Sequence, residues 1–162
     1  MKKILAFLLL ILPFYLANSL YYLDRDYFIC PIEYKKDITI RNDCRGEGFF
    51  GAQRSGRRTH QGLDLLAQIG EPVFAVRNGR VVSAKQNNGM GKYVIIRHAD
   101  KMLTVYGHLS SLEVYDNEFV RQGQIIGRVG KTGNSNLRDI QPHLHFEVRI
   151  NGAAEDPLKY IP

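Results

Sequence analysis

The stretch Pro142-His143-Leu144-His145-Phe146-Glu147-Val148 carries two histidines two positions apart and a glutamate two further on. Side chains alternate faces along a strand. His143, His145 and Glu147 therefore share one face, and Leu144, Phe146 and Val148 the other. The apolar face has a core role. The polar face needs a partner, and two imidazoles so placed suit a metal, a proton-transfer site, or both.

Three further histidines precede this stretch. His60 and Asp64 stand four apart in Thr-His-Gln-Gly-Leu-Asp, and Gly62 between them disfavours helix. In extended chain His60, Gly62 and Asp64 fall on one side, the glycine leaving room for an ion or substrate, while Leu63 and Leu65 face the core. His108 follows Gly107 at a strand end, and His98 opens a turn and is read as structural. Two histidines and one carboxylate make a three-ligand zinc set that leaves a fourth position for water. Such an ion lowers the pKa of its water to about 7 and polarises a carbonyl. Two extra histidines would then serve as base and transition-state donor. Each fragment alone is common by chance; weight comes from finding them together.

The elements that must position these residues read as short strands. From Gly46 onward, β-branched runs alternate with glycine-centred turns: EPVFAV, RNGR, VVSAK, then QNNGMG, KYVIIR and IIGRVG. This spacing predicts an antiparallel β sheet or sandwich. No window sustains a helical period, although one helical turn is expected near Ser110–Glu113. Hydrophobic residues make up 44% of 162 residues, enough for one domain with a genuine core. The formal charge of +6 is spread along the chain and favours anionic partners only weakly.

The N-terminus has Lys2 and Lys3, an unbroken apolar run from Ile4 to Leu12, Pro13, and then Ala17-Asn18-Ser19. By composition this is a secretory signal over residues 1–19. A short uncleaved anchor is the rival reading, and either one exports the remainder. Residues 20–45 form a lead-in with the two cysteines, Cys30 and Cys44. In an oxidising compartment these are expected to pair, and so short a loop would be worth about 3 kcal/mol in the chain-entropy model.

In this order, HQGLDL, YGHLS, GKTGNS and PHLHFEV resemble the M23 family of zinc metallopeptidases, the lysostaphin- and LytM-like peptidoglycan endopeptidases. The resemblance covers roughly residues 48–158 and closes on Asp156-Pro157. It implies an antiparallel β fold with a narrow groove over one zinc per chain. Carried over by motif, His60, Asp64 and His145 match the metal ligands, while His108 and His143 match non-ligand catalytic histidines. Glu147 is left to orient a neighbouring histidine or arginine, or to face solvent. Some members carry a tyrosine before the first ligand. Here Arg54, Arg57 and Arg58 stand instead, read first as a solvated basic loop and otherwise as oxyanion or carboxylate partners. In some relatives the lead-in blocks the metal, a role open to Asn42 or Asp43.

The resulting expectation is an exported monomeric zinc endopeptidase acting on peptide bonds in peptidoglycan, with residues 46–162 as its metallopeptidase domain. It would reside in the periplasm, outside the cell or in the envelope, with membrane contact only through an uncleaved N-terminal segment and no nucleic-acid partner. The alternative is a non-catalytic regulator on the same fold that activates a cell-wall amidase. A lipoyl- or biotinyl-type carrier is disfavoured, because Lys131 lacks the flanking acidic or methionine context.

Overall fold

The computed structural model describes residues 12–13, 27–33 and 37–162. The segment read as a signal peptide lies outside these, apart from Leu12 and Pro13. Two antiparallel sheets make up the body. The larger is ordered β12 (Ala153–Glu155), β11 (His143–Ile150), β7 (Met102–Leu109), β6 (Gly91–Arg97), β5 (Gly79–Asn87) and β9 (Phe119–Val120), with β3 (Leu63–Leu66) pairing β11 beside β12. The smaller is β4 (Pro72–Phe74), β10 (Ile125–Arg128) and β8 (Ser111–Leu112). The alternation expected of β11 is realised, with Leu144, Phe146 and Val148 fully buried in a cluster that also takes Val73 and Ile126 from the smaller sheet. Each such side chain contributes about 1.5–3 kcal/mol by burial. The mostly β, antiparallel fold of the lysostaphin-like type is therefore present.

Helical structure between residues 37 and 162 is confined to three 3-10 turns, Ser55–Arg57, Gly133–Ser135 and Pro157–Lys159. In the last, the Leu158 N–H donates to Asp156 Oδ1 at 3.0 Å and Pro157 opens the turn. The helical turn expected near Ser110–Glu113 is absent. Ser111–Leu112 is instead the strand β8, paired with Gly127 and Arg128 of β10. An edge made by a partner strand supplied what local sequence did not signal.

The lead-in is laid onto the sheets. Ile29 N–H donates to the Val76 carbonyl at 3.1 Å, and Phe74 N–H to that of Pro31 at 2.8 Å. Residues 39–41 run along the other edge of β3, with Arg41 N–H to the Asp64 carbonyl at 2.9 Å and Leu66 N–H to that of Thr39 at 2.8 Å. A hairpin of β1 (Asn42–Asp43) and β2 (Gly46–Glu47) follows. The expected disulfide is not formed. Cys30 is buried in the core beside the β4 segment, while Cys44 is exposed at the β1–β2 turn, its Sγ 3.8 Å from the Asp139 carbonyl oxygen. The two cysteines are near in sequence, but their segments pair with different strands.

Candidate metal centre

Strand register builds the centre. In the β3–β11 ladder His145 stands directly opposite Asp64, and on its other side His145 is opposite Gly107 of β7. Cross-strand neighbours share a face, so the Asp64 and His145 side chains meet. His60 arrives from the extended segment before β3. Its N–H donates to the Ala52 carbonyl at 2.8 Å. Gly62 permits the close approach. A Cβ there would lie 2.5 Å from the Phe146 carbonyl oxygen and 2.9 Å from His145 Cε1. Its absent side chain makes room for β11 itself, rather than for an ion as the spacing suggested.

His60, Asp64 and His145 are all buried, and one donor atom from each could hold a metal ion. Asp64 Oδ1 lies 3.0 Å from His60 Nε2 and 2.8 Å from His145 Nδ1, and those two nitrogens are 3.1 Å apart. The outward nitrogens have fixed partners. His60 Nδ1–H donates to the Phe49 carbonyl at 2.9 Å, and His145 Nε2–H to Glu147 Oε1 at 3.0 Å. Since these acceptors can only accept, the neutral tautomers of His60 and His145 turn the lone pairs of Nε2 and Nδ1 inward. Two imidazole nitrogens and one carboxylate oxygen suit a borderline ion such as zinc.

Glu147 is buried beside His145, and its Oε2 accepts from Arg149 Nε at 2.7 Å. It thus orients a histidine and an arginine together, as one of its two sequence readings had it. Burial disfavours the charged form of His145, yet its hydrogen bonds to Asp64 and Glu147 prevail and push its pKa up to about 9, so at pH 7 Nδ1 carries a proton toward Asp64 that a bound cation would displace. Burial would raise Asp64, but hydrogen bonds from His145 and His60 hold its carboxyl well below the usual range.

His143 and His108 line the same groove. Their rings are 5.0 Å apart in an edge-on arrangement, and His108 is 5.8 Å from the His145 ring. His143 Nε2 is 3.9 Å from Asp64 Oδ1, beyond the separations within the three-atom group. Each holds its Nδ1–H on a carbonyl, Gln141 for His143 at 2.6 Å and Thr132 for His108 at 2.8 Å. Burial, reinforced by His145 and His143, pushes the His108 pKa down to about 3; burial also lowers that of His143. Both rings are neutral at pH 7, with Nε2 as an acceptor. His108 has φ +62°, the left-handed region that side chains avoid but histidine tolerates better than most. Strict alternation from Gly107 would turn His108 to the other face of β7. The backbone kink turns it into the groove, and no local sequence signal announced it.

The groove has a volume of about 820 Å³. Along its wall one of the three arginines departs from the expected solvated loop. Arg54 is half-buried and Nη2 donates to Asp64 Oδ2 at 3.2 Å, while Arg57 and Arg58 remain exposed. Arg41, which sequence reasoning missed, reaches the same oxygen. Asp43 does not touch the three donor atoms. Its Oδ1 accepts from Arg41 Nη1 at 2.6 Å, and its Oδ2 from Gln141 N–H at 3.1 Å. His98 lies apart from the groove, as read.

A buried donor set of two histidines and one carboxylate, open to a groove between antiparallel strands, is the arrangement used by metal-dependent hydrolases. The chain belongs to peptidase family M23, which matches residues 58–157. It is 41% identical over 100 residues to lipoprotein NlpD of Yersinia enterocolitica, covering 61% of this chain and 98% of that one. It is 37% identical over 114 residues to murein hydrolase activator NlpD of Escherichia coli, covering 70% of this chain and 28% of that one. With DD-carboxypeptidase/endopeptidase Mpg of Neisseria meningitidis it shares 42% over 101 residues, 62% of this chain and 22% of that one. It thus spans little more than a quarter of the Escherichia coli relative and less of the Neisseria one. Among solved structures, a zinc containing peptidase from Vibrio cholerae superposes with a TM-score of 0.69 at 29% identity, over 86% of this chain and 41% of that one. The catalytic domain of lysostaphin from Staphylococcus simulans gives 0.60 at 33% identity, over 73% and 90%.

Proposed function

We propose that this chain is an exported zinc endopeptidase that hydrolyses peptide bonds in peptidoglycan. One Zn²⁺ per chain would be held by His60, Asp64 and His145, with His108 and His143 as the catalytic proton carriers. The observation that supports this reading is orientation. Each of the four groove histidines has its outward nitrogen on a carbonyl or carboxylate. The inward nitrogens are therefore left for an ion or a proton.

Zinc bound there supplies Lewis acidity toward a peptide carbonyl and toward water. The chain's own residues do the rest. Glu147 keeps the His145 proton on Nε2, so that Nδ1 stays a donor atom to the metal. Nε2 of His108 or His143 accepts the proton released when water attacks the peptide carbonyl. The pair returns a proton to the departing amine, which must leave protonated. No glutamate in an H-E-x-x-H helix is present for that work. Residues 46–162 act as the peptidase domain in this reading and residues 1–19 as its export signal or anchor. The protein works as a monomer in the cell envelope without nucleic acid.

The similarity to a murein hydrolase activator supports a second reading, a regulator that binds and activates a cell-wall amidase. The intact set of five groove residues favours the enzyme. Zinc-loaded protein incubated with purified peptidoglycan of known chemistry, followed by mass analysis, decides between them. New amino and carboxyl termini within the wall peptides are expected. Zinc-loaded protein that releases no fragments, yet stimulates an amidase, would establish the regulator instead.

A further inference from the structure

The geometry points to Arg41, a lead-in residue outside the M23 match, as a positioning residue that sets Asp64 for metal binding. The inference rests on the metal ligands proposed above. The two oxygens of Asp64 are sharply divided. Oδ1 faces His60 and His145. Oδ2 receives Arg41 Nε at 3.2 Å, Arg41 Nη2 at 3.1 Å and Arg54 Nη2 at 3.2 Å. A carboxylate oxygen offers about two lone-pair sites, so three N–H donors saturate Oδ2. Asp64 is left able to present Oδ1 alone, with the plane of its carboxylate fixed.

Arg41 is itself held at both ends. It is 4% exposed. Its backbone N–H donates to the Asp64 carbonyl at 2.9 Å, and its own carbonyl accepts from Gly48 N–H at 2.7 Å. Its Nη1 donates to Asp43 Oδ1 at 2.6 Å, and Asp43 also accepts from Arg45 N–H at 2.9 Å. Asp43 Oδ2 accepts from Gln141 N–H, and the Gln141 carbonyl accepts from His143 Nδ1–H. One chain of hydrogen bonds, buried at Asp64, Arg41 and His143 and exposed at Gln141, thus runs from Asp64 through Arg41, Asp43 and Gln141 to His143. The lead-in is part of the centre rather than a tether before it. Arg41 brings two opposing effects. It fixes the carboxylate, which favours the metal, and its charge repels a cation. The planar fork spanning two carboxylates makes fixation the larger, because removing partners of metal ligands commonly weakens binding about 10–100-fold.

The test measures zinc dissociation constants of the full mature chain by competition with a chromophoric chelator. The visible absorption of the Co²⁺-substituted protein reports ligand geometry. Arg41→Met is expected to weaken zinc binding about 10–100-fold and to alter the Co²⁺ spectrum. Arg41→Lys keeps the charge but cannot span both carboxylates with a planar fork, so a smaller loss in the same direction is expected. Asp43→Asn, which loosens Arg41 without touching Asp64, should also weaken binding. If Arg41→Met fails to fold, the other two variants carry the test. Folded variants that bind zinc as tightly as the wild type, or more tightly, with an unchanged Co²⁺ spectrum, overturn the inference. A wild-type chain that binds no zinc removes the metal reading beneath it. A zinc-binding wild type that cuts no peptidoglycan removes only the endopeptidase reading.

Discussion

β7 serves two buried polar clusters, and they differ in one respect. On one face His98 Nδ1–H donates to the Asn78 carbonyl at 2.8 Å and Nε2 meets Thr104 Oγ1 at 2.7 Å. Thr104 Oγ1 lies 3.1 Å from Tyr106 Oη, which accepts from Val76 N–H at 3.1 Å. Hydroxyls donate and accept, so every proton of this chain has an acceptor and the chain closes on itself. On the other face, beside Gly107, the inward atoms of His60, Asp64 and His145 converge with only the proton on His145 Nδ1 to share between them. Burial and hydrogen bonding are common to both clusters. Convergent lone pairs are confined to the second, and only a cation or a proton satisfies them. A buried histidine with two partners is therefore no sign of function; three donors aimed at one point are.

The largest expected contrast between the clusters is at His145 and His98. His145→Ala should lose bound zinc and reduce peptidoglycan cleavage to background. His98→Ala should keep one zinc per chain and the turnover of the folded protein. Metal analysis and rates on the same preparations decide, and zinc retained by His145→Ala would remove the ligand assignment. Next are the two histidines proposed as proton carriers. His108→Ala and His143→Ala should retain zinc and lose about 10²–10⁴ in rate, the range for general acid–base catalysis. Full zinc with nearly unchanged turnover would return both to a structural role.

Metal removal gives a smaller, thermodynamic contrast. At a free zinc concentration of about 100 times the dissociation constant, binding stabilises the native state by about 2.7 kcal/mol. A chelator should therefore lower the melting temperature of the wild type and of His98→Ala, and leave that of His145→Ala unmoved. A wild-type melting temperature indifferent to chelation would contradict the comparison. The smallest effect is local to the closed chain. His98→Ala removes the imidazole from the Asn78 carbonyl and the Thr104 hydroxyl, and should destabilise the fold by about 1–3 kcal/mol. Urea midpoints should fall equally with and without zinc. A zinc-dependent difference would tie His98 to the metal cluster.

The face that carries His143, His145 and Glu147 was legible from seven residues, because alternation is a local property of extended chain. So was the opposite face, where Leu144, Phe146 and Val148 are buried. The readings that failed concern residues whose partners lie on other elements of the fold. Ser111–Leu112 became a strand because β10 offers an edge, and Cys30 and Cys44 parted because their segments follow different strands. Arg54 left solvent for Asp64.

Sequence alone determined the residue types of the centre, their motif order and the β character of the elements that bear them. These follow from side-chain chemistry and short-range periodicity. Tertiary structure decided the rest. Register in the β3–β11 ladder places Asp64 against His145. A left-handed backbone at His108 turns that ring into the groove. The lead-in carries Arg41 onto the far oxygen of Asp64. Each of these depends on which strands lie side by side, and pairing between distant segments is set by the packing of the whole core rather than by neighbours along the chain.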